Sequence, residues 1–122
     1  MINNDILRRL RYALDLKDSA VVEIISFGDV GVTAEQVDAW LKREEDDGFL
    51  MMKDSAMLAF LNGLIIFKRG RRDGVQLPRD ERINNNLVLQ KLRIALNFQA
   101  EDVLQVLELA DFRLSKHELR KV

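Results

Sequence analysis

The chain has 122 residues, a size typical of one domain or of two small abutting halves. Hydrophobic residues make up 48% and charged residues 32%, which predicts a folded globular protein rather than a disordered one. The 19 basic and 20 acidic side chains nearly cancel, so the whole molecule has no field that would draw it to nucleic acid or to an anionic membrane. Because cysteine is absent, the composition excludes disulfides, thiolate zinc sites and cysteine nucleophiles.

The sequence carries no recognisable signal for export or for membrane insertion. Residues 1–5 lack the apolar region of a signal peptide. The longest apolar stretch, residues 56–67, is interrupted by Asn62-Gly63 and is shorter than the roughly 20 residues that a membrane helix needs. These features predict a cytoplasmic protein that does not associate with membranes.

The chain contains an internal duplication. A shift of 82 residues aligns residues 2–40 with residues 84–122 without a gap, and nine of these 39 pairs are identical, against roughly two or three expected by chance. The identical pairs are Asn3/Asn85, Asn4/Asn86, Leu7/Leu89, Leu10/Leu92, Arg11/Arg93, Ala13/Ala95, Leu14/Leu96, Val21/Val103 and Asp29/Asp111. We therefore predict two tandem copies of one module: a first copy over residues 1–72, a linker over 73–83, and an incomplete second copy over 84–122.

Each copy opens with a predicted helix. The Asn pair at its start, Asn3-Asn4 in the first copy, offers side-chain oxygens that can cap the first turn. A second helix is expected from about residue 18, although the β-branched run 21–25 would also suit a short buried strand. The repeat counterpart of this segment, residues 101–109, has strong helix propensity and favours a helix in both copies.

The third helix has the clearest start signal. Residues 33–36 (Thr-Ala-Glu-Gln) and 115–118 (Ser-Lys-His-Glu) both match the capping box. In the first copy this helix is expected to end near the acidic run 44–47, with Gly48 as a left-handed stop. A fourth helix over about 54–68 is apolar on nearly all sides, which predicts burial between neighbours. The predicted fold class is therefore all-α, with about four helices in the first copy.

Positive charge is concentrated between the two copies. Residues 68–82 contain six basic and three acidic side chains, two glycines and the only proline, a composition typical of a linker or surface loop. Val122 is the repeat counterpart of Trp40, so we expect a complete pair of copies to run to about 154 residues. If the chain ends naturally at Val122, we expect a homodimer that covers the open apolar face.

Three parts of the sequence resemble a known family. They are the strings NNDILR and RYAL at residues 3–8 and 11–14, FLNGLI and KRG at 60–65 and 68–70, and RINNN and KLRIA at 82–86 and 91–95. Over essentially the whole chain the sequence resembles the YehS-like family of uncharacterised bacterial proteins. The resemblance implies two copies of a small helical domain. It implies no catalytic residues, because the family is itself of unknown function.

No catalytic or cofactor-binding arrangement is recognisable in the sequence. It lacks a Gly-rich phosphate loop, a Gly-x-Ser-x-Gly elbow and a His-Glu-x-x-His helix. The acidic run 44–47 lacks the alternating spacing of a calcium loop and is expected to be a solvated helix end. His117 has no evident acid or base partner and is expected at the surface, whereas Trp40 is expected in the core. We expect neither a metal, nor a cofactor, nor enzymatic activity.

The preferred function is a non-enzymatic protein-interaction module with a protein partner still to be identified. Candidate partner contacts are Met51, Met52 and Asn62. Methionine suits an adaptable contact surface, although gap filling in the core is the commoner use. For Asn62-Gly63, close helix packing around a satisfied amide is the alternative interpretation.

The second possible function is nucleic-acid binding through a local basic stripe and the linker arginines. The candidate contacts are Arg8, Arg9, Arg11, Arg69, Arg71, Arg72, Lys91 and Arg93. Solvated helix faces with intrahelical ion pairs are the alternative interpretation of these residues. A protein partner is preferred because the third helix opens with Glu35 and Asp38, which would repel phosphate in a groove.

Overall fold

The computed structural model describes residues 2–70 and 83–96, and most of these residues are helical. The helices are α1 (Asn3–Ala13), α2 (Asp18–Phe27), α3 (Ala34–Leu41), α4 (Asp54–Arg69) and α5 (Asn85–Leu96). No strand occurs in these two ranges. The prediction of an all-α fold is confirmed, and residues 21–25 belong to a helix rather than to a strand.

The core is organised around α4. Ten consecutive residues of this helix, Ala56 to Ile65, are buried. The helix packs mainly against α2 and α5, with a smaller contact to α1, and its apolar residues join those of the other helices in one core. Burial on every side explains why the sequence of α4 is apolar around nearly its whole circumference.

Helices α2 and α4 approach each other through two glycines. A Cβ atom added at Gly63 would overlap the main-chain carbonyl of Ile24, and one added at Gly28 would overlap the main-chain carbonyl of Ala59. The backbones of the two helices are therefore in direct contact, which is possible only where no side chain intervenes. Close helix packing thus explains the glycine inside the apolar sequence of α4.

The capping box at the start of α3 is confirmed. The Thr33 hydroxyl accepts a hydrogen bond from the Gln36 main-chain N–H at 3.1 Å, and the Gln36 side-chain oxygen accepts one from the Thr33 N–H at 2.9 Å. The predicted end of this helix is wrong, because α3 already ends at Leu41. Residues 44–47 therefore lie in a turn rather than at a helix end, and Gly48, with φ at +85°, belongs to that turn.

The predicted capping by the Asn pair is also wrong. The N-cap of α1 is Ile2, which has no side-chain cap, and both asparagines lie inside the helix. In the second copy the cap is Asn84, the repeat counterpart of Ile2, whose side-chain oxygen accepts a hydrogen bond from the Leu87 N–H at 2.8 Å. The N-cap residue of each helix therefore precedes its Asn pair, and in α1 the side chains of Asn3 and Asn4 make other contacts.

Helix α5 is the first helix of the second copy, and it packs against α4 of the first copy. Its residues Val88, Leu89 and Leu92 belong to the common core, as do their repeat counterparts in α1. The later helices predicted for the second copy, with Ser115 and His117, lie outside the described residues, as do residues 71–82. The unit boundaries at 1–72, 73–83 and 84–122 remain predictions.

Candidate interaction surfaces

Two arginines of α1 are engaged within the molecule. Arg8 donates from Nη1 to Asp5 Oδ1 and from Nη2 to the Lys42 carbonyl, both at 2.9 Å. Arg11 donates from Nε to Asp18 Oδ1 at 2.9 Å. The Arg8–Asp5 contact is an intrahelical ion pair, the alternative that the sequence left open beside phosphate binding. The two guanidinium groups thus connect α1 to the loop after α3 and to the start of α2.

The other basic candidates that the structure describes differ in their exposure. Arg9 and Arg93 are half-buried, and Lys91 is buried on α5. Arg69 is exposed at the end of α4, while residues 71 and 72 lie outside the described part of the chain. Lys91 thus lies on the packed side of α5, and the contact of these residues with nucleic acid stays a prediction.

An exposed aromatic residue lies beside two basic residues at the end of α4, and we call Phe67, Lys68 and Arg69 the Phe67 cluster. Phe67 is 40% exposed, and its ring centroid lies 6.3 Å from that of the half-buried Phe27 on α2. Lys68 Nζ lies 5.4 Å from the Phe67 ring centroid, within cation–π range. Sequence reasoning selected only the arginine of this cluster. The missed signal is an aromatic residue placed directly before two basic ones.

Two large hydrophobic side chains are exposed at the same repeat position. Tyr12 on α1 is 77% exposed, and Ile94 on α5 is 44% exposed. The shift of 82 residues that relates the two copies places Ile94 at the position of Tyr12. Sequence reasoning missed both residues, although each lies off the apolar stripe of its helix. We call Tyr12 and Ile94 the repeat-matched pair.

The three predicted partner contacts have different environments. Met51 is half exposed and lies next to the exposed Leu50, in the extended segment before α4. Met52 and Asn62 are buried. Of the three candidates, Met51 alone is therefore on the surface, and its contact with a partner stays a prediction. Gap filling explains Met52, and the Asn62 amide lies inside the tightly packed α4.

The Asn pair at the start of α1 holds the segment that precedes α4. Asn4 is fully buried, and its Nδ2 donates to the carbonyls of Trp40 at 3.0 Å and Leu50 at 2.8 Å. Its Oδ1 accepts a hydrogen bond from the Met52 N–H at 2.9 Å. Asn3 Nδ2 adds a donation to the Met52 carbonyl at 3.1 Å. Asn3 and Asn4 thus hold the extended segment around Leu50 and Met52 through hydrogen bonds to its main-chain N–H and carbonyl groups.

The acidic turn after α3 is stabilised by its own neighbours. Asp46 accepts a hydrogen bond from the Arg43 main-chain N–H at 3.2 Å and also contacts the Arg43 guanidinium. These contacts, the main-chain one first, hold the pKa of the Asp46 carboxyl below its ordinary value of 3.8. Within residues 2–70 and 83–96, no group of three or more His, Asp or Glu side chains is placed to hold a metal ion.

Within the same ranges, no helix has both the length and the apolar character needed to cross a membrane.

Comparison with known proteins places the chain in a family. The model of the family described as "Protein of unknown function (DUF1456)" matches residues 3–70 and again residues 85–122, in agreement with the internal duplication. The chain is also 43% identical over 120 residues to a protein of Escherichia coli (strain K12) described as "Uncharacterized protein YehS". That match covers 98% of this chain and 77% of the relative. No solved structure matches the chain. The chain therefore belongs to this family of proteins of unknown function, as its resemblance to the YehS-like proteins implied.

Proposed function

We propose that the protein is a non-enzymatic interaction module that binds a protein partner through the repeat-matched pair, Tyr12 and Ile94. The observation that carries the proposal is the exposure of a large hydrophobic side chain at the same position in both copies. Burial of such a side chain in an interface removes apolar surface from water, which favours association. Tyrosine is also among the residue types that contribute most to protein interfaces.

The environment of the α1 arginines supports a protein partner over a nucleic acid. Arg8 and Arg11 already donate to carboxylates of the same chain. Phosphate would have to compete with these carboxylates, which lowers the gain from each new contact. A protein partner that covers Tyr12 does not have to displace these ion pairs. We therefore favour an apolar protein contact at α1 over phosphate binding.

Site-specific photocrosslinking tests the proposal and identifies the partner. A photoreactive phenylalanine derivative at position 12 or 94 is expected to give an adduct with the same protein, whereas one at the exposed Glu23 of α2 is not. The partner is then purified and its Kd is measured against single variants. Tyr12→Ser and Ile94→Ser should each weaken binding about tenfold, the usual scale for an important interface residue. Glu23→Ser serves as the matched surface control.

Three results would contradict the proposal. One is a pattern of adducts at positions 12 and 94 that is identical to the Glu23 control. Another is an unchanged Kd for both serine variants. The third is crosslinking of the chain only to itself, which would replace the proposed partner by a homodimer.

A second candidate function, the binding of single-stranded nucleic acid, is favoured by the Phe67 cluster. Proteins that bind single strands combine exposed aromatic rings, on which bases stack, with basic side chains that contact the backbone. Phe67, Lys68 and Arg69 supply both elements at one helix end. Arg69 is exposed there, unlike the engaged arginines of α1.

Fluorescence anisotropy with labelled single-stranded RNA tests this second function. Phe67→Ala and Arg69→Ala should each weaken binding about fivefold or more, and binding should weaken as salt rises. Met51→Ala and Lys53→Ala provide matched controls, because they remove an exposed apolar and an exposed basic side chain near the opposite end of α4. Absence of binding at low salt, or an equal loss in the control variants, would reject this function.

A further inference from the structure

The exposed residues of the repeat-matched pair end the same four-residue pattern in both copies. Residues 9–12 read Arg-Leu-Arg-Tyr, and residues 91–94 read Lys-Leu-Arg-Ile. The leucine of each pattern, Leu10 or Leu92, is buried in the common core. Because these leucines face the core at matching positions, each helix presents its exposed hydrophobic residue directly after an arginine. The two copies therefore repeat a combination of basic and hydrophobic residues rather than a hydrophobic residue alone.

The two helices that carry this pattern are positively charged, whereas the rest of the first copy is acidic. Helix α1 has three basic side chains and one acidic side chain, and α5 has two basic side chains and no acidic one, so each has a net charge of +2. Residues 14–67, which include α2, α3 and most of α4, have four basic and eleven acidic side chains and a net charge of −7. The repeat-matched pair therefore lies on the two basic helices of a largely acidic body.

The ion pairs of α1 do not cancel its positive charge. Arg8 contacts Asp5 within the helix, and Arg11 contacts Asp18 at the start of α2. With Asp18 included, α1 still has one basic side chain in excess, and α5 has no acidic side chain of its own. The Arg11 side chain remains 39% exposed, and Arg93 is half-buried. Carboxylates of a partner are attracted by this excess charge without displacing Asp5 or Asp18.

We propose that the partner surface that covers the repeat-matched pair is acidic, with aspartate or glutamate side chains around its apolar contact. An apolar side chain of the partner lies against Tyr12 or Ile94, and neighbouring carboxylates lie against Arg11 or Arg93. Opposite charges across an interface speed association and fix its register. A protein suits this surface better than a nucleic acid does, because Ile94 has no aromatic ring on which a base would stack. The proposal rests on the proposed function and adds to it the charge of the partner.

Two synthetic peptides test the proposal with the whole 122-residue chain. Both are fluorescein-labelled amphipathic helices with the same leucine stripe, and the positions beside the stripe are glutamate in one peptide and lysine in the other. Fluorescence anisotropy should give a Kd about tenfold lower for the glutamate peptide at low salt, and added salt should reduce this difference. The net charge of the whole chain, −1, would favour the lysine peptide, so a preference for glutamate reports a local charge. Failure of both peptides to bind would overturn the proposal.

Charge variants locate the preference on the chain. Arg11→Gln and Arg93→Gln should each reduce the preference for the glutamate peptide about threefold, whereas Arg11→Lys and Arg93→Lys keep the charge and should retain it. Arg43→Gln is the matched control, because it removes the same charge from an exposed arginine in the acidic turn, and it should leave the preference unchanged. An equal reduction in the control and in both glutamine variants would overturn the proposal.

The serine variants separate this proposal from the proposed function. Equal Kd values for the two peptides, both raised by Tyr12→Ser and Ile94→Ser, would overturn the acidic partner and leave the interaction module in place. Peptide binding that neither serine variant weakens would reject the repeat-matched pair as the site, and the proposal would fall with it. Displacement of the glutamate peptide by single-stranded RNA at the same concentration would assign the surface to nucleic acid and would also overturn the proposal.

Discussion

Asn4 is fully buried, and its side chain satisfies three main-chain groups, the Trp40 carbonyl in α3 and one group each of Leu50 and Met52 in the connection between α3 and α4. Asn4→Ala would leave these groups without partners in the interior, and each costs about 1–3 kcal/mol. We therefore expect a loss of about 3 kcal/mol or more in the free energy of unfolding, measured with urea. Asn3→Ala should cost less, because one bond of Asn3 goes to the exposed Asp54 carboxylate. A smaller loss for Asn4→Ala than for Asn3→Ala would contradict this account.

The Asp46 carboxyl provides a prediction on pH. The Arg43 main-chain N–H and then its guanidinium lower the pKa of Asp46, so this contact stabilises the fold above the pKa of the unfolded state. The stabilisation is lost as the pH falls through the lower pKa of the folded state. In an NMR titration, Arg43→Ala should raise the pKa of Asp46 only partly, because the main-chain donor is retained. An unchanged pKa would contradict the role of the guanidinium.

At the scale of elements, the contact between α2 and α4 depends on the absence of a side chain at Gly63. Gly63→Ala would drive a methyl group into the Ile24 carbonyl, and relief would require the two helices to move apart. We expect a loss of about 3 kcal/mol in the free energy of unfolding, at the upper end for overpacked cores. Gly31→Ala is the control, since no atom lies within 4 Å of the added Cβ. We expect it to leave the free energy of unfolding unchanged or to raise it by up to about 1 kcal/mol. Equal effects of the two substitutions would reject the close approach.

The helices themselves could be predicted because their signals are local. The capping box of α3 and the apolar run of α4 lie within a few residues of the structure that they determine. The role of the Asn pair could not be predicted in this way. An asparagine near a helix start looks like a cap in the sequence, and only the fold shows that the groups bound by Asn4 lie 36 to 48 residues away.

The availability of surface side chains was harder to predict than the helices, because it also depends on contacts between residues that are distant in the sequence. Whether an arginine is available to phosphate depends on the carboxylates that the fold brings to it, as Asp18 is brought to Arg11. Whether a methionine reaches the surface depends on which side of an extended segment faces the core, and Met51 and Met52 fall on opposite sides. The repeat position shared by Tyr12 and Ile94 was present in the sequence, but their exposure required the structure.

At the scale of the whole molecule, the described part of the second copy shares one core with the first copy. The first helix of the second copy packs on the last helix of the first, and apolar residues of α1 and α5 belong to the same buried cluster. This arrangement explains why α4 is buried on every side. It also holds Tyr12 and Ile94 on one body, so that a partner could engage both without ordering a flexible connection.

The shared core is the central claim, and Leu92→Ala tests it most directly. Leu92 lies in the second copy, whereas Trp40, the only tryptophan, reports on the first. Removal of the Leu92 side chain should lower the free energy of unfolding by about 3 kcal/mol. Tryptophan fluorescence and circular dichroism should then show one transition, shifted equally to lower urea. The contrary result is a Trp40 fluorescence transition at the urea concentration of the parent, with a separate circular-dichroism transition at lower urea. It would show that the copies unfold independently and would contradict the claim.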